Sequence, residues 1–573
     1  MSMNTIKAVL AVFTAAVMAI GLTQTVAADS SGLGSGKIKH VLLLSIDGMH
    51  ALDFYNCSHG ITGVNSGKPY CPNLSALGDT GINYVGVISS RPSDSFPGMA
   101  ALATGGTPKS TGAYYDVAYD RSLDPPKTTT GTGLAGGPCT PYAAPTGTTT
   151  DYDQGIEIND TLLNGGAPGA SPTDGGIASI DRDHLVRDPK AGCAPIYPWD
   201  FVRVNSFFSV VHAAGGYTAW IDKHSSYSFV AGPGGRGLND YYSPEVDSNV
   251  VALPGVTTVT GISCATVPDP SADLTSWTNS FENIKCYDTI KVNALLNEIA
   301  GKTHLGAPAQ IPAAFGMNFQ AVYIGESVYE PTVGKGGYLD AAGTPTVYLF
   351  HEVEFVDAAI GQIVNALKHA GIYDETLVIV TAKHGESPID PSLYVANGTN
   401  TPATLLALAG MIPYSESPLN PTGIGATEDD VSVLWLTKGS NVIDAVNILE
   451  KNASAIGLGQ LFYGPSVALN YNVPGLGREQ DPRTPDIIVT PNVGMTYSSA
   501  TTMIGDHGGF AHDDTNVIML VSNPCFSAQT VSAPVATIQV APTIVKVLGL
   551  DPSALDAVKR EGTPVLPEVV SQL

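Results

Sequence analysis

The chain has 573 residues, of which 43% are hydrophobic and 14% charged, so it is long enough to bury more than one sizeable core. Lysine and arginine total 27 against 52 for aspartate and glutamate, a formal net charge of −25. Such an acidic chain repels nucleic acid duplexes and anionic membranes at long range, so an anionic substrate requires a local cationic site.

The first 28 residues have the pattern of a secretory signal peptide. Lys7 precedes an apolar run over residues 8–22, and small residues at 26–28 precede Asp29. An uncleaved membrane anchor is the alternative, but the run is shorter than the about 20 residues that a spanning helix needs. We therefore predict a secreted or periplasmic protein, residues 1–28 being removed, with no membrane span after cleavage.

Seven cysteines follow the predicted cleavage point, and an exported chain can form disulfides. The pairs predicted from their order in the chain are Cys57–Cys71, Cys264–Cys286 and, across a loop-rich stretch, Cys139–Cys193. Cys525 is left over and is predicted to be a free, buried thiol. The chain contains no C-x-x-C motif, which argues against a thiolate zinc site or a thioredoxin-like redox site.

Alternating strand and helix patterns predict a parallel sheet. Continuous apolar runs indicate buried strands at 40–46, 216–221, 315–324 and 377–381. The clearest amphipathic helix, at 352–370, leads directly into the last of these strands. A strand–helix–strand rhythm of this kind is typical of α/β folds whose sheet is mostly parallel.

Other segments are predicted to be inserted into this core. Residues 120–200 are rich in glycine, proline and threonine without hydrophobic periodicity, and a second insertion is expected at about 225–280. Residues 388–482 contain a strand pattern at 431–436 and a helix pattern at 441–451, typical of a small α/β cap. The core is then 29–387 together with 483–573, with strands resuming at 486–490 and 516–521.

Four polar motifs follow predicted strands or open a predicted helix. They are Asp47-Gly48, Ser95-Phe96-Pro97, Lys383-His384-Gly385 and His507-Gly508-Gly509. Ligands of open α/β sheets bind at the carboxyl ends of the strands, so these residues are candidates for chemistry. Pro97 predicts a helix that begins near Ser95, where unpaired amides favour an anion; the alternative is that Ser95 is only an N-cap.

Together these motifs resemble the type I phosphodiesterase/nucleotide pyrophosphatase branch of the alkaline phosphatase superfamily. The segments that carry the resemblance are 43–48, 91–97 with 103–105, 352–385 and 505–508. It extends over roughly 38–110, 205–230, 315–390 and 482–550. The resemblance implies a three-layer α/β/α sandwich in which a serine or threonine nucleophile and two divalent metal ions act on phosphoric esters.

Carried over by position, the resemblance assigns Asp47, Ser95 and His384 to the metal nearest the nucleophile, and His507 to the other metal. Lys383 replaces the aspartate of the family's Asp-His pair. The family's Asp-x-x-x-His element is best matched by Glu326 and Glu330. Gly98 replaces an asparagine that often holds a phosphate oxygen. Four of the seven usual positions are therefore intact.

Lys383 decides how many metal ions such a site can hold. Exchanging a carboxylate for an ammonium adds two positive charges, and unit charges about 4 Å apart interact by about 4 kcal/mol at an effective dielectric near 20. An inward Lys383 therefore opposes a metal ion, and we predict that it binds the substrate anion and stabilises Ser95 as an alkoxide. The alternative is that it turns outward and leaves an inert site.

Further candidates come from the strand ending at Asp222-Lys223-His224. Asp222 is a possible replacement metal ligand, and Lys223 and His224 are possible substrate contacts, the alternative being a polar loop. Glu326 and Glu330 offer hard oxygen ligands that suit calcium, magnesium or manganese. We expect one or two divalent ions, zinc first, with solvated loop carboxylates as the alternative for the glutamates.

The sequence thus predicts a metal-dependent hydrolase of phosphoric mono- or diesters that acts through a phosphoserine on Ser95. Its partner is a small anionic ester. Sulfate-ester hydrolysis is the first alternative, although Ser95 and Pro97 meet only part of the sulfatase pattern Cys/Ser-x-Pro-x-Arg, with Met99 in the arginine position. The second alternative is a non-catalytic descendant that binds an anionic ligand.

Overall fold

A sheet of eight strands forms the centre of the computed structural model, which describes residue 33 and residues 36–130, 135–152, 180–246, 278–412, 426–471, 481–498 and 500–573. Numbered along the chain, its strands are β1 His40–Ile46, β2 Gly81–Tyr84, β3 Ala219–Ile221, β4 Asp240–Tyr242, β5 Ala314–Phe319, β6 Thr376–Thr381, β7 Met519–Ser522 and β8 Gln529–Val531. Their spatial order is β8-β2-β7-β6-β1-β5-β3-β4.

The central sheet is mostly parallel, as predicted. Only β7 runs against its neighbours, β6 and β2; every other neighbouring pair in this sheet is parallel. Ser45 of β1 lies opposite Asn318 of β5 on one side and Thr381 of β6 on the other. The carboxyl ends of these three strands therefore meet at one edge of the sheet, where the site residues follow them.

Helices cover the sheet in two groups and complete the three-layer α/β/α sandwich. The helices of the described segments are α1 Ala51–His59, α2 Pro72–Gly78, α3 Ser95–Thr104, α4 Pro108–Thr111, α5 Pro198–Phe201, α6 Phe207–Ala213, α7 Phe281–Ile299, α8 Ala321–Ser327, α9 Val347–His369, α10 Pro402–Leu408, α11 Val442–Lys451, α12 Pro465–Asn470, α13 His512–Thr515, α14 Val540–Val547 and α15 Asp556–Glu561. One group packs α1 and α2 with α7, α8 and α9, and the other packs α3 with α4, α6, α14 and α15.

Two predicted elements have different bounds from those expected. The helix predicted at 352–370 begins earlier, at Val347, because the Thr346 side chain caps it by accepting from the Leu349 amide. The strand predicted at 315–324 ends at Phe319 and gives way to α8. The carboxylate of Asp288 accepts hydrogen bonds from the amides of residues 320 and 321, which stabilises the start of that helix.

A second, antiparallel sheet forms most of the predicted cap. Its strands are Ala426–Glu428, Ser432–Leu434, Leu458–Tyr463 and Ile487–Pro491, and α10 and α11 pack with it around a core of their own. The strand predicted at 486–490 is therefore formed in this sheet and not in the central one. We accordingly propose that the cap ends near Pro491 rather than at residue 482.

The predicted insertions contain some regular structure. The antiparallel strands Val117–Asp120 and Thr148–Asp151 begin the first one, whose residues 153–179 lie outside the described segments. Within the second predicted insertion, at about 225–280, β4 is an edge strand of the central sheet, parallel to β3. Residues 247–277 lie outside the description.

Two of the predicted disulfides are confirmed, Cys57–Cys71 and Cys139–Cys193. Cys264, half of the third predicted pair, is outside the described residues. Cys525 is free, as predicted, but it is exposed rather than buried. It lies on the connection between β7 and β8, where the chain runs over the surface.

The predicted signal peptide, residues 1–28, also lies outside the description. Within the ranges that the structure covers, none of the helices combines the length and the apolar character that a membrane crossing requires.

The carboxyl group of Glu298 on α7 provides a test of this core. The residue is 0% exposed, and within the described structure neither carboxyl oxygen has a hydrogen-bond partner. Burial, with a smaller contribution from the charge of Asp240, raises the pKa of Glu298 well above its usual value of 4.5. Folding therefore favours the protonated acid at this position.

Glu298→Gln is expected to become progressively more stable than the wild type as the pH rises. An acid whose pKa is raised in the folded state stabilises the fold below its unfolded pKa. That contribution falls by about 1.4 kcal/mol per pH unit until the pH reaches the folded pKa. Glutamine does not titrate, so the difference in free energy of unfolding should grow from pH 5 to pH 8. Chemical denaturation of both proteins measures it, and parallel pH profiles would contradict the assignment.

Candidate active site

Ser95 is the first residue of α3 and is not its N-cap. That role belongs to Asp94, whose carboxylate accepts a 2.6 Å hydrogen bond from the Phe96 amide. The alternative in which Ser95 only caps the helix is therefore wrong. Ser95 lies where the amides of the first helical turn and the helix dipole favour a negative charge.

Two side chains contact the Ser95 hydroxyl. Lys223 donates from Nζ to Oγ over 3.1 Å, and His384 places Nε2 at 3.0 Å from the same atom. The other ring nitrogen of His384, Nδ1, lies 3.0 Å from the Gly385 carbonyl, which can only accept a hydrogen bond. Nδ1 therefore carries the proton in this arrangement, and Nε2 accepts from the Ser95 hydroxyl.

His384 is neutral near pH 7 in this environment. Burial lowers the pKa of His384 to about 4; the charge of Asp47 raises it, while those of Lys223 and Lys383 lower it further. A neutral imidazole can accept a proton from a serine. Ser95 thus lies between a base and an ammonium group that favours its ionised form.

The Asp47 carboxylate is surrounded by donors. It follows β1, is fully buried, and accepts from Nδ2 of Asn318 at 2.9 Å and Nε2 of Gln320 at 2.6 Å. The ammonium groups of Lys383 and Lys223 lie 3.5 and 3.8 Å from its Oδ2 atom. Burial alone would raise the pKa of Asp47, but the neighbouring positive charges, led by Lys383, hold it well below the usual value.

Lys383 points inward but does not make the predicted contact with Ser95. Its Nζ lies 3.0 Å from Oδ1 of Asp222 and 4.2 Å from the ring centre of Tyr227. Asp222 also accepts from Trp220 through Oδ2, at 2.7 Å, so both of its carboxylate oxygens are engaged. The direct contact with Ser95, predicted for Lys383, is made by Lys223.

A metal ion does not fit beside Asp47 in this arrangement. Asp47 and Asp222 carry two negative charges, and Lys223 and Lys383 carry two positive charges, so the four side chains already balance. Asp47 accepts hydrogen bonds from two amide groups, and two ammonium groups lie within 3.8 Å of its Oδ2 atom, where their charge opposes a metal ion. The ligand roles predicted for Asp47, Ser95 and Asp222 thus conflict with the geometry, because lysine ammonium groups provide the positive charge there.

Glu330 and His224 have other partners than those predicted. Glu330 accepts from the Ser280 hydroxyl at 3.1 Å and the Phe281 amide at 3.2 Å, which places it at the N-terminus of α7. His224 pairs through Nδ1 with the Glu245 carboxylate at 2.6 Å. The ligand role of Glu330 and the substrate contact of His224 are therefore not supported by these contacts.

Glu326 belongs to a separate buried cluster with His50 and Asp53. Tyr338 donates to Glu326 at 2.7 Å, and Nδ1 of His50 lies 2.9 Å from Asp53 and 3.4 Å from Glu326. Burial lowers the pKa of His50, but the carboxylates of Glu326 and Asp53 outweigh this and raise it well above the usual value. His50 is thus a cation in this arrangement. The ligand atoms of His50, Asp53 and Glu326 also lie within 4.8 Å of one another, so the metal role of Glu326 stays a prediction.

A different set of potential metal ligands adjoins Ser95: His384, Glu386 and His507 each offer one ligand atom, and these atoms lie within 4.8 Å of one another. The two imidazole ring centres are 3.9 Å apart. Glu386 was missed in the sequence. Its spacing provides a signal, because residues i and i+2 of an extended chain point to the same side, as His384 and Glu386 do.

The candidate site is closed to solvent in this structure. Ser95 is 1% and His384 0% exposed, so substrate entry requires neighbouring side chains to move. A cavity of about 610 Å³ lies next to the segment that leads to α3; its lining includes Arg91 and the rings of Phe462 and Phe510. The location of the candidate active site therefore follows from the polar contacts of Ser95 and not from this cavity.

Comparison with known proteins agrees with the family resemblance. The family model described as type I phosphodiesterase/nucleotide pyrophosphatase matches residues 41–151 and 337–510, which include Asp47, Ser95 and His507. No curated protein matches the chain.

Solved structures with a similar chain trace include ectonucleotide pyrophosphatase/phosphodiesterase 5 from two mammals. The murine protein is 13% identical with a TM-score of 0.49, and the match covers 89% of this chain and 95% of the murine chain. An inactive murine variant in complex with AMP and the human protein each show 12% identity, the same coverages and a TM-score of 0.49.

Proposed function

We propose, on the premise that residues 41–151 and 337–510 carry the type I phosphodiesterase/nucleotide pyrophosphatase family pattern, that this chain is an exported phosphoric ester hydrolase with Ser95 as its nucleophile. The observation that carries the proposal is the pair of contacts on the Ser95 hydroxyl. It lies 3.1 Å from Lys223 Nζ and 3.0 Å from His384 Nε2 at the start of α3. A serine so placed has both a base and an anion-stabilising cation.

In the first step, Ser95 transfers its proton to Nε2 of His384 while Oγ attacks phosphorus in line. The Oγ–P bond forms and the bond from phosphorus to the leaving oxygen breaks, the leaving oxygen taking a proton from water. In the second step, water attacks the phosphoserine and the P–Oγ bond breaks. The oxygen of Ser95 then recovers the proton held by His384, and the proton lost by the attacking water passes to solvent.

Lys223 has two tasks in this reaction. Before attack, its ammonium favours the alkoxide of Ser95, and afterwards it faces a phosphoryl oxygen on the same atom. The amides at the start of α3 provide further donors for that charge. Asp47 and Asp222 hold Lys223 and Lys383 in place, so these carboxylates act as positioning residues.

A divalent metal, when bound, would polarise a phosphoryl oxygen as a Lewis acid. His384, Glu386 and His507 are the residues that would hold it, because their ligand atoms converge and Asp47 is already surrounded by donors. One ring nitrogen of His384 would then have to leave its present partner, which is either the Ser95 hydroxyl or the Gly385 carbonyl. Zinc suits such a set of two imidazoles and one carboxylate.

Export of the chain is supported by the signal-like N-terminus and by two disulfides, Cys57–Cys71 and Cys139–Cys193. A small anionic ester remains the expected substrate. The net charge of −25 disfavours nucleic acid duplexes as partners.

A panel of p-nitrophenyl esters tests the reaction class. We expect the wild-type protein, assayed with added zinc or manganese, to hydrolyse the phosphate monoester or the bis-phosphodiester at least tenfold faster than the sulfate ester. The reverse order would favour a sulfate-ester hydrolase of the same fold. Absence of turnover with every ester and metal would favour a non-catalytic descendant.

A further inference from the structure

Glu386 is a buried carboxylate without a hydrogen-bond partner. It is 2% exposed, and neither Oε1 nor Oε2 has a partner within the described structure. An unpaired carboxylate in such a place is costly unless a cation or a proton compensates it. Both carboxyl oxygens of Glu298 also lack a hydrogen-bond partner, but within the described segments Glu298 belongs to no cluster of potential metal ligands, whereas Glu386 lies with His384 and His507.

The wider surroundings of Glu386 are negative. The charges that act on it most strongly are those of Asp506 and Glu326, with Asp514 also contributing, and His50 is the cation that opposes them. His50 is already paired with Asp53 at 2.9 Å. This part of the site therefore brings several acidic side chains together, whereas the charges of Asp47, Asp222, Lys223 and Lys383 balance.

The ligand types also select the kind of ion. Two imidazoles and one carboxylate are the donors of His₂Glu zinc sites and of related sites for cobalt, manganese or iron. Calcium and magnesium prefer sites made only of oxygen. Zinc holds nitrogen and oxygen ligands at about 2.0–2.2 Å, so three atoms within 4.8 Å of one another need only small movements to share one ion.

We propose that His384, Glu386 and His507 bind one divalent cation of the zinc class, and that the ammonium groups of Lys223 and Lys383 take the place of a second one beside Asp47. This inference rests on the proposed function, since His384 also contacts Ser95, and it goes beyond it in limiting the site to one ion, with the two lysine ammonium groups in place of a second. It gives a stoichiometry of one ion per chain.

Zinc binding to the purified full chain tests the proposal. After removal of bound metal with a chelator, equilibrium dialysis and elemental analysis of the wild type should give one tightly held zinc per chain. Glu386→Gln should weaken zinc binding by at least tenfold. Glu298→Gln is the matched control, because it also changes a buried glutamate without a hydrogen-bond partner, and it should bind zinc as the wild type does.

Two tightly held zinc ions in the wild type, no bound zinc, or unchanged affinity in Glu386→Gln would overturn the proposal. If Glu386→Gln does not fold, His507→Asn tests the same site at its half-buried ligand and should show the same loss. Ser95→Ala should still bind one zinc. The zinc proposal can therefore be wrong while Ser95 is the nucleophile, or right while Ser95 is not. The metal-binding and activity measurements distinguish these two outcomes.

Discussion

Ser95→Ala is expected to lower kcat/KM for phosphoric esters by about a thousandfold or more, because it removes the atom that forms the covalent bond to phosphorus. Stability should change little, since the substitution deletes one hydroxyl and the cap of α3 is provided by Asp94. Steady-state kinetics with the preferred ester, together with thermal unfolding, would measure both effects.

Ser522→Ala is the matched control for this variant. Ser522 has the same 1% exposure as Ser95, and its hydroxyl donates to the Thr80 carbonyl. It pairs with Val378, near the beginning of β6, and so lies at the end of the sheet opposite the candidate site. Its activity should match that of the wild type, whereas Ser95→Ala with wild-type turnover would exclude Ser95 as the nucleophile.

Lys223→Met is expected to have the second largest effect, lowering kcat by about a hundredfold to a thousandfold. The ammonium that contacts Ser95 Oγ at 3.1 Å would be replaced by an apolar side chain of similar length. Ser95 would then lose the charge that favours its alkoxide and the donor that faces the phosphoryl group. Kinetic measurements that separate kcat from KM reveal the effect, because loss of transition-state binding lowers kcat.

Lys383→Met is the informative comparison. It also removes an ammonium beside Asp47, at 3.5 Å, but that lysine bonds to Asp222 rather than to Ser95. We expect Lys383→Met to lose more stability than Lys223→Met, because Lys383 is fully buried and Asp222 would lose its charged partner. An equal loss of kcat in both folded variants would indicate that Lys223 acts only through the charge balance of Asp47.

The sheet could be predicted from the sequence because its central strands are buried on both faces. The runs that form β1 and β6 are almost continuously apolar, which is typical of parallel strands under helices. The early end of β5 could not be predicted in the same way. It depends on Asp288, which reaches the start of α8 from another helix, and such a contact leaves no local pattern.

Strand ends and short motifs identified Asp47, Ser95, His384 and His507, but their partners depend on the packed side chains. Lys223 and Ser95 are 128 positions apart in the sequence, so residue spacing alone does not reveal that they are in contact. In the segment that contains β5 and α8, the sequence interpretation selected Glu326 because it matches a family motif by residue type. The residues that reach Asp47 are Asn318 and Gln320, which lie at the end of β5.

The most direct test of Ser95 as the nucleophile is to trap the phosphoenzyme. Wild-type protein mixed with excess ester is quenched in acid during turnover, digested and analysed by mass spectrometry. A phosphoryl group on Ser95 that is absent from Ser95→Ala and from substrate-free protein is the predicted result. Sustained turnover without a phosphorylated Ser95, or with the phosphoryl group on another residue, would contradict it.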